Sequence, residues 1–450
     1  MQWHGSCVVH RHSGGGLALQ SDFDFGDLFT QAARVVVPRA HAKGLSFLFD
    51  YRGPALRCQA DPSRMREALC RVLLAAVDVL EEGYVFFTAQ VSVLPAAACQ
   101  VAVAAASSGR FARAAVWREV LARLQIPSGE QMNDQALLEC DSKAVGVCPI
   151  TGGRVAVVRD MKEGSMFSLD LGLMKEQAYF DVGDVEPDAA GARAWLIRAA
   201  DAETRSLERR LQRLGWATRV FDQLEAARHE LESMPLSYSR PRLVLAYHDE
   251  TVTASTLGPL ATLLPQGAQV VLAMSPDVGV LHRGAEHDGV ETRLYPFSPS
   301  DLREFTERAG GGGQPSDETR PAPLAFVHRR RALVVDDNAV NQMVASGMLQ
   351  VLGFEVDTAC DGQEAIEHCM KTPPDLVLMD LHMPGMDGLE AARRLRMLQQ
   401  EGALPCFPIL AATADTTSQE ACESAGMDGH LPKPLNLSGL EHHLRRLIPG

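Results

Sequence analysis

The sequence predicts a multidomain α/β protein, and three observations carry that prediction. The chain has 450 residues, which corresponds to roughly three domains. Two stretches, 193–309 and 329–450, alternate short apolar runs with segments of helical spacing, the pattern of a parallel sheet wound by helices. The stretch 22–175 instead mixes helices and alternating strands in an order that fits no simple βα repeat, so it forms a separate α/β unit.

Composition narrows the function classes. Apolar residues make up 46% of the chain, enough for ordinary cores, and the net charge is −14. A nucleic-acid partner calls for clustered Lys and Arg, so none is expected; Arg329-Arg330-Arg331 reads as a solvated start to a strand. The ten cysteines show no Cys-x-x-Cys and no zinc spacing, which predicts reduced thiols. No apolar run approaches the roughly 20 residues of a membrane span, and Met1-Gln-Trp-His-Gly-Ser-Cys7 does not read as a signal peptide. A cytoplasmic protein without a membrane partner is the expectation.

In order along the chain, residues 1–21 are rich in Gly and His and predict little order. Asp27–Val37 has helical spacing, Leu45–Asp50 alternates like a strand, and Ala60–Leu80 is a long helix with Asp61 as N-cap and Pro62 at its first position. Tyr84–Leu94, Gln100–Ala106, Gly152–Val158 and Gly164–Leu171 read as strands. On the residues Phe23-Asp-Phe25, Pro38 to Gly44, Asp61-Pro-Ser-Arg64, Gly152-Gly-Arg-Val155 and Gly164-Ser-Met-Phe167, the unit resembles the ATP-binding domain of histidine kinases, an α/β sandwich. That family carries an Asn for magnesium on the long helix, one turn after another Asn and before a Lys. The resemblance puts Ala75, Arg71 and Asp78 there. Its adenine-reading Asp-Thr-Gly is here Ser107-Ser108-Gly109, and its glycine-rich lid has no counterpart between Gln135 and Val147. The resemblance therefore implies a degenerate domain in which ATP is not expected as a cofactor, and a chain that is neither a kinase nor an ATPase. The family's two helices with their phospho-accepting His are not found ahead of Phe23. His41-Ala-Lys43-Gly44 approximates the His-x-x-Lys-Gly of phosphotransfer domains but is one residue short, and reads as a surface histidine.

A linker over Val182–Ala192 leads to the second unit. Strands are expected at Arg193–Ile197, Ala217–Val220, Arg242–Ala246, Gln269–Ala273 and Thr292–Tyr295, with helices at Glu203–Leu214 and Leu224–Ser233. A Gly/Pro-rich stretch, 310–328, follows and is expected to let the last domain move.

The last unit is organised around Asp375-Leu-Val-Leu-Met-Asp380-Leu-His-Met-Pro-Gly-Met-Asp-Gly388. This reads as a buried strand that delivers Asp380 to the rim of an open sheet, with a loop at once after it. Ala332-Leu-Val-Val-Asp336-Asp337 is a second acid-tipped run, Ile409–Thr413 ends in a hydroxyl, and Leu431-Pro-Lys433-Pro434 closes a fourth. Together they resemble the response-regulator receiver domain of two-component signalling, a flavodoxin-like (βα)5 doubly wound fold. The resemblance implies Asp380 as phospho-acceptor and Mg²⁺ bound by Asp337, Asp380 and the backbone carbonyl of His382, with Asp336 acting through water. It also implies that Lys433 meets the phosphoryl group after a cis peptide at Pro434, and that Thr413 and His430 form a switch pair. Asp387 reads as an N-cap. The second unit resembles the receiver more weakly. Ala199 and Ala200 stand at its acid pair, Tyr247 at its acceptor and Tyr295 at its Lys, which implies a pseudoreceiver without metal.

These readings combine into an expected phosphorelay protein, similar to the C-terminal part of a hybrid sensor histidine kinase, with no output domain after Pro449-Gly450. Its partners would be a histidine kinase or a histidine phosphotransfer protein, and self-association stays open. Two alternatives remain at this point: an active hybrid kinase with an unorthodox ATP site, and an interaction protein that sequesters a kinase independently of phosphorylation.

Overall fold

The computed structural model describes residues 21–93, 99–126, 142–160, 164–173, 178–180, 187–198, 201–235, 239–276, 286–287, 289–310, 330–413, 419–433, 435 and 437–448. Ala199, Ala200, Pro434, the 310–328 linker beyond Gly310, the lid region before Ser142 and the linker before Pro187 lie outside the described residues.

The N-terminal domain contains β1 (Ser21–Asp24), α1 (Phe25–Ala42), β2 (Ser46–Arg52), β3 (Leu56–Ala60), α2 (Pro62–Asp78), β4 (Leu80–Val93), β5 (Cys99–Phe111), α3 (Ala114–Arg123), β6 (Ser142–Val147), β7 (Arg154–Asp160), β8 (Gly164–Leu173) and β9 (Ala178–Phe180). Six strands form one sheet in the order β2-β4-β5-β8-β7-β6, and β1-β3-β9 form a smaller one. α2 starts where local chemistry directs: the Asp61 carboxylate accepts from the amides of Ser63 and Arg64 at 2.9 and 3.2 Å, and Pro62 needs no donor at the first position. Because side chains alternate across a strand, Phe47, Phe49, Phe87 and Phe167 all enter the core under α1 and α2. Phe29 stacks on Phe49 with centroids 5.1 Å apart.

The other face of this sheet carries Leu48, Phe86 and Ala106, which are also buried. A sheet that is apolar on both faces needs a second cover.

The middle domain runs β10 (Arg193–Ile197), α4 (Ala202–Arg213), β11 (Ala217–Phe221), α5 (Leu224–Ser233), β12 (Leu243–Tyr247), α6 (Ala254–Ala261), β13 (Gln269–Met274), β14 (Glu286–His287), β15 (Val290–Leu294) and α7 (Pro299–Gly310). Its sheet order is β11-β10-β12-β13-β15, all parallel, with β14 antiparallel at one edge. The last domain runs β16 (Arg331–Val335), α8 (Ala339–Val351), β17 (Glu355–Ala359), α9 (Gly362–Lys371), β18 (Leu376–Asp380), α10 (Gly388–Gln400), β19 (Ile409–Thr413), α11 (Gln419–Ser424), β20 (Gly429–Pro432) and α12 (Leu437–Leu447). Its order, β17-β16-β18-β19-β20, is parallel throughout. Both sheets have the strand order 2-1-3-4-5 of a flavodoxin-like doubly wound fold.

The cover for the N-terminal sheet is α8 of the last domain. Val340, Val344 and Met348 share one core with Leu48, Phe86 and Ala106. Gly347 makes the approach possible: a Cβ there would lie 2.6 Å from the Phe86 ring. Each large apolar side chain buried this way contributes about 1.5–3 kcal/mol, so the expectation that the linker leaves the last domain free to move is corrected by this core. The middle domain clamps the N-terminal domain from its own side. The Arg34 guanidinium reaches Asp301 at 2.9 Å and donates to the carbonyls of Leu294 and Pro296. The Ser206 hydroxyl donates to the Phe49 carbonyl at 2.9 Å, and Arg213 pairs with Asp50. Arg205 and Glu441, 3.1 Å apart, join the middle and last domains.

Candidate phosphoryl-acceptor site

β18 is buried at all five positions, as a central parallel strand requires. It therefore ends with Asp380 at the carboxyl edge of the sheet, where open α/β sheets build sites. The loop after it returns tightly, since the Gly388 amide donates to the Leu381 carbonyl at 3.1 Å and a Cβ on Gly388 would lie 2.0 Å from the Asp380 carbonyl oxygen. Asp387 caps α10 through the Glu390 amide at 2.7 Å, which agrees with the sequence reading.

Asp336 follows β16, the neighbouring strand, and Asp337 comes next. Asp336, Asp337 and Asp380 bring one carboxylate oxygen each within 4.8 Å of one another. Lys433 sits beyond the end of β20. Its backbone amide donates to the Thr413 carbonyl at 2.9 Å, which ties the two strand ends together. Its ammonium lies 2.8 Å from Asp336 and 3.1 Å from Asp380, with only 4% of its side chain exposed. Thr413 is buried at the end of β19. His430 faces Ala411 in the register and Pro432 faces Thr413; with period-2 alternation, His430 and Thr413 lie on one face of the sheet. The structure thus brings Asp336, Asp337, Asp380 and Lys433 together at one sheet edge. The Asp380 carboxylate accepts from the His382 amide at 3.3 Å.

Asp336 is held more firmly than the water-mediated role implied. Its carboxylate accepts from both the Asn338 amide, at 2.9 Å, and the Asn341 side-chain amide, at 2.9 and 3.0 Å. Gln342 donates to the Asp336 carbonyl at 2.7 Å. Asn341 and Gln342 were missed in the sequence. The legible signal was a polar pair in the first turns of a helix that is otherwise apolar. Burial pushes the Asp336 carboxyl above its ordinary range, Lys433 opposes that, and the nearby Asp380 adds to it.

Three carboxylates against one ammonium leave two negative charges unbalanced. The donors are hard oxygens, and Asp337 is exposed, so water can complete a shell. That set fits magnesium, which keeps several waters and takes few carboxylates.

The corresponding rim of the middle domain is filled by rings. Tyr247 ends β12 and Tyr295 follows β15, their centroids 5.0 Å apart. The Arg198 guanidinium lies 4.4 Å from the centre of the Tyr247 ring and 2.9 Å from Glu203. Glu203 is also 3.2 Å from His41 of the N-terminal domain, which corrects the reading of His41 as a surface histidine: it is half-buried at a domain contact. Lys43 caps α2 by donating to the carbonyls of Val77, Asp78 and Leu80. Asp78 is buried between Arg39 at 2.7 Å and Arg123 at 2.8 Å. Ala75 is buried, and the hydroxyls of Ser107 and Ser165 meet each other at 2.5 Å. Among the described residues, the acidic trio of the last domain is the one cluster able to hold a metal ion.

Comparison with known proteins agrees with this geometry. The family model for the response regulator receiver domain matches residues 332–445. Those residues are a receiver domain. The likeness extends beyond it to sensor histidine kinases. The sensor protein GacS of Pseudomonas syringae pv. syringae is 26% identical over 431 residues, 92% of this chain and 46% of its own length. The sensor protein EvgS of Escherichia coli K12 is 36% identical over 125 residues, 28% of this chain and 10% of its own. The chain spans about half the length of GacS, or less of the others. The solved full-length ShkA, in complex with AMPPNP, is 23% identical, covers 96% of this chain and 86% of its own, and superposes with a TM-score of 0.38. No helix among the described residues is long and apolar enough to cross a membrane.

Proposed function

We propose that this protein is a phosphorelay component whose receiver domain takes a phosphoryl group onto Asp380 from a histidine kinase or a histidine phosphotransfer protein. The observation that carries the reading is the convergence of Asp336, Asp337, Asp380 and Lys433 at one sheet edge. An Asp380 oxygen forms the bond to phosphorus as the bond from phosphorus to the donor's imidazole nitrogen breaks. The electron pair leaves with that nitrogen, which takes a proton from solvent. Asp337, Asp380 and the His382 backbone carbonyl would hold magnesium, with Asp336 acting through water, and the ion would neutralise phosphoryl oxygens that otherwise repel the attacking carboxylate. Asn341 and Asn338 fix Asp336 for that task. Lys433 then leaves its carboxylate partners for a phosphoryl oxygen, and the Thr413 hydroxyl follows, with His430 on the same sheet face as its companion in the switch.

The other two domains act as inert partners in this reading. Ala75 and Asp78 supply neither the metal ligand nor the cation that a triphosphate needs, and the tyrosine-filled rim of the middle domain suits a pseudoreceiver used for docking.

The test is phosphorylation by a small phosphodonor such as phosphoramidate with Mg²⁺, read by a phosphate-affinity gel. The wild type should shift and Asp380→Asn should not; an unchanged shift in the mutant refutes the assignment. A second reading, an active kinase, draws on the likeness to GacS along most of the chain. It requires acid-labile label on a histidine after incubation with γ-labelled ATP alone.

A further inference from the structure

Between the middle domain and the receiver lies a cleft of about 480 Å³, within the size range of small-molecule sites. One wall is α4, with Arg205, Glu208 and Arg209; the other is the start of β16 and the end of α12, with Arg330, Glu441 and Arg445. Leu352, Phe354 and Ile448 give it an apolar floor. The lining therefore holds four guanidinium groups and two carboxylates, an excess of two positive charges.

The carboxylates are already committed. Glu441 accepts from Arg205 at 3.1 Å and from Arg445 at 2.8 Å, and Glu208 accepts from the Thr218 hydroxyl at 2.8 Å. Arg209 forms no ion pair among the described residues. Its guanidinium reaches only a long contact, 3.4 Å, to the Leu349 carbonyl at the end of α8. Burial lowers its pKa to about 9, with Asp50 opposing and Arg213 adding to the effect. A desolvated cation without a matched anion is costly, and a guanidinium fork matches the oxygens of a phosphate in bidentate fashion.

We propose that this cleft binds a phosphate-bearing small molecule as its dianion, held by Arg209 with Arg205 and Arg330 across the domain boundary. The ligand bridges the two walls and so locks the middle domain to the receiver. Its organic part, if present, lies on the Leu352 and Phe354 floor. The proposal is independent of phosphoryl transfer to Asp380.

Isothermal titration of the full chain in EDTA, which keeps divalent metal from the receiver's acidic trio, tests it with two probes: inorganic phosphate and adenosine monophosphate. Saturable one-to-one binding is expected for at least one probe, weakened tenfold or more by Arg209→Gln and by Arg330→Gln, and unchanged by Arg219→Gln outside the cleft. The two cleft variants stand on opposite walls, so misfolding of one leaves the other to report, with circular dichroism as the check. Tighter binding of the nucleotide than of phosphate would assign the apolar floor to an organic moiety; equal binding would assign the cleft to free phosphate. Absence of saturable binding by both probes, or binding that neither cleft variant weakens, overturns the proposal.

Discussion

The middle domain and the receiver share one strand order and differ at one edge. In the receiver, carboxylates crowd at the ends of β16 and β18 and Lys433 balances only part of their charge. In the middle domain, Tyr247 and Tyr295 fill the space, Arg198 and Glu203 pair their charges, and His41 hydrogen-bonds to Glu203. One edge therefore still attracts a cation; the other is satisfied by its own neighbours and by the N-terminal domain. The lesson is that the doubly wound sheet supplies positions, and the residues at strand ends decide whether those positions react or bind.

That contrast can be broken most forcefully at Lys433. Lys433→Ala removes the one cation that, among the described residues, contacts both Asp336 and Asp380, so the rate of phosphorylation by a small donor should fall about 100-fold, measured by the gel shift against time. A rate within a few-fold of wild type would mean the two edges differ less in chemistry than in shape. The second test concerns how each domain is held. Gly347→Leu drives a side chain into Phe86 at the α8 contact, and overpacking of this kind costs about 1–3 kcal/mol. Thermal unfolding should shift down, and small-angle scattering should show the receiver released while its own response to Mg²⁺ persists. The third and smallest effect belongs to the middle domain. Burial alone would raise the Glu203 carboxyl, but the His41 hydrogen bond and the Arg198 charge outweigh it, so its folded pKa lies below the ordinary 4.5. Such a carboxylate contributes stability above its unfolded pKa and loses it as pH falls through the folded value. Glu203→Gln should therefore cost about 1–2 kcal/mol at pH 7, and the gap to wild type should shrink as the pH falls below about 4, read by denaturant unfolding at each pH.

The acid-tipped runs ending at Asp336 and Asp380, the hydroxyl after Ile409–Ala412 and the cation at Lys433 were legible because each is local: a buried strand followed by a polar residue at a turn. The caps at Asp61 and Asp387 were legible for the same reason. Several short elements were not. β1, β3 and β9 have only three to five residues each, too few for alternation to stand out, and they exist because they pair with one another. α3, with its buried Trp117, has no side-chain cap, so nothing in the sequence announces its start.

His41 shows the limit most directly. Its neighbours in sequence suggest a solvated helix end, and only the arrival of Glu203, 162 positions away, makes it part of a domain contact. Phe86 is similar: its apolar face needed a cover, but nothing local says that the cover is α8 of the receiver. The sequence by itself determined which strands end in reactive groups, because that depends on a few adjacent residues and the period of a strand. Only the tertiary structure decided how Asn341 and Lys433 hold Asp336, and how three domains share their cores. The Asn341 contact is only five positions long, but the Lys433 contact and the shared cores join residues tens to hundreds of positions apart, and their free energy comes from burial and charge pairing that no short window of sequence contains.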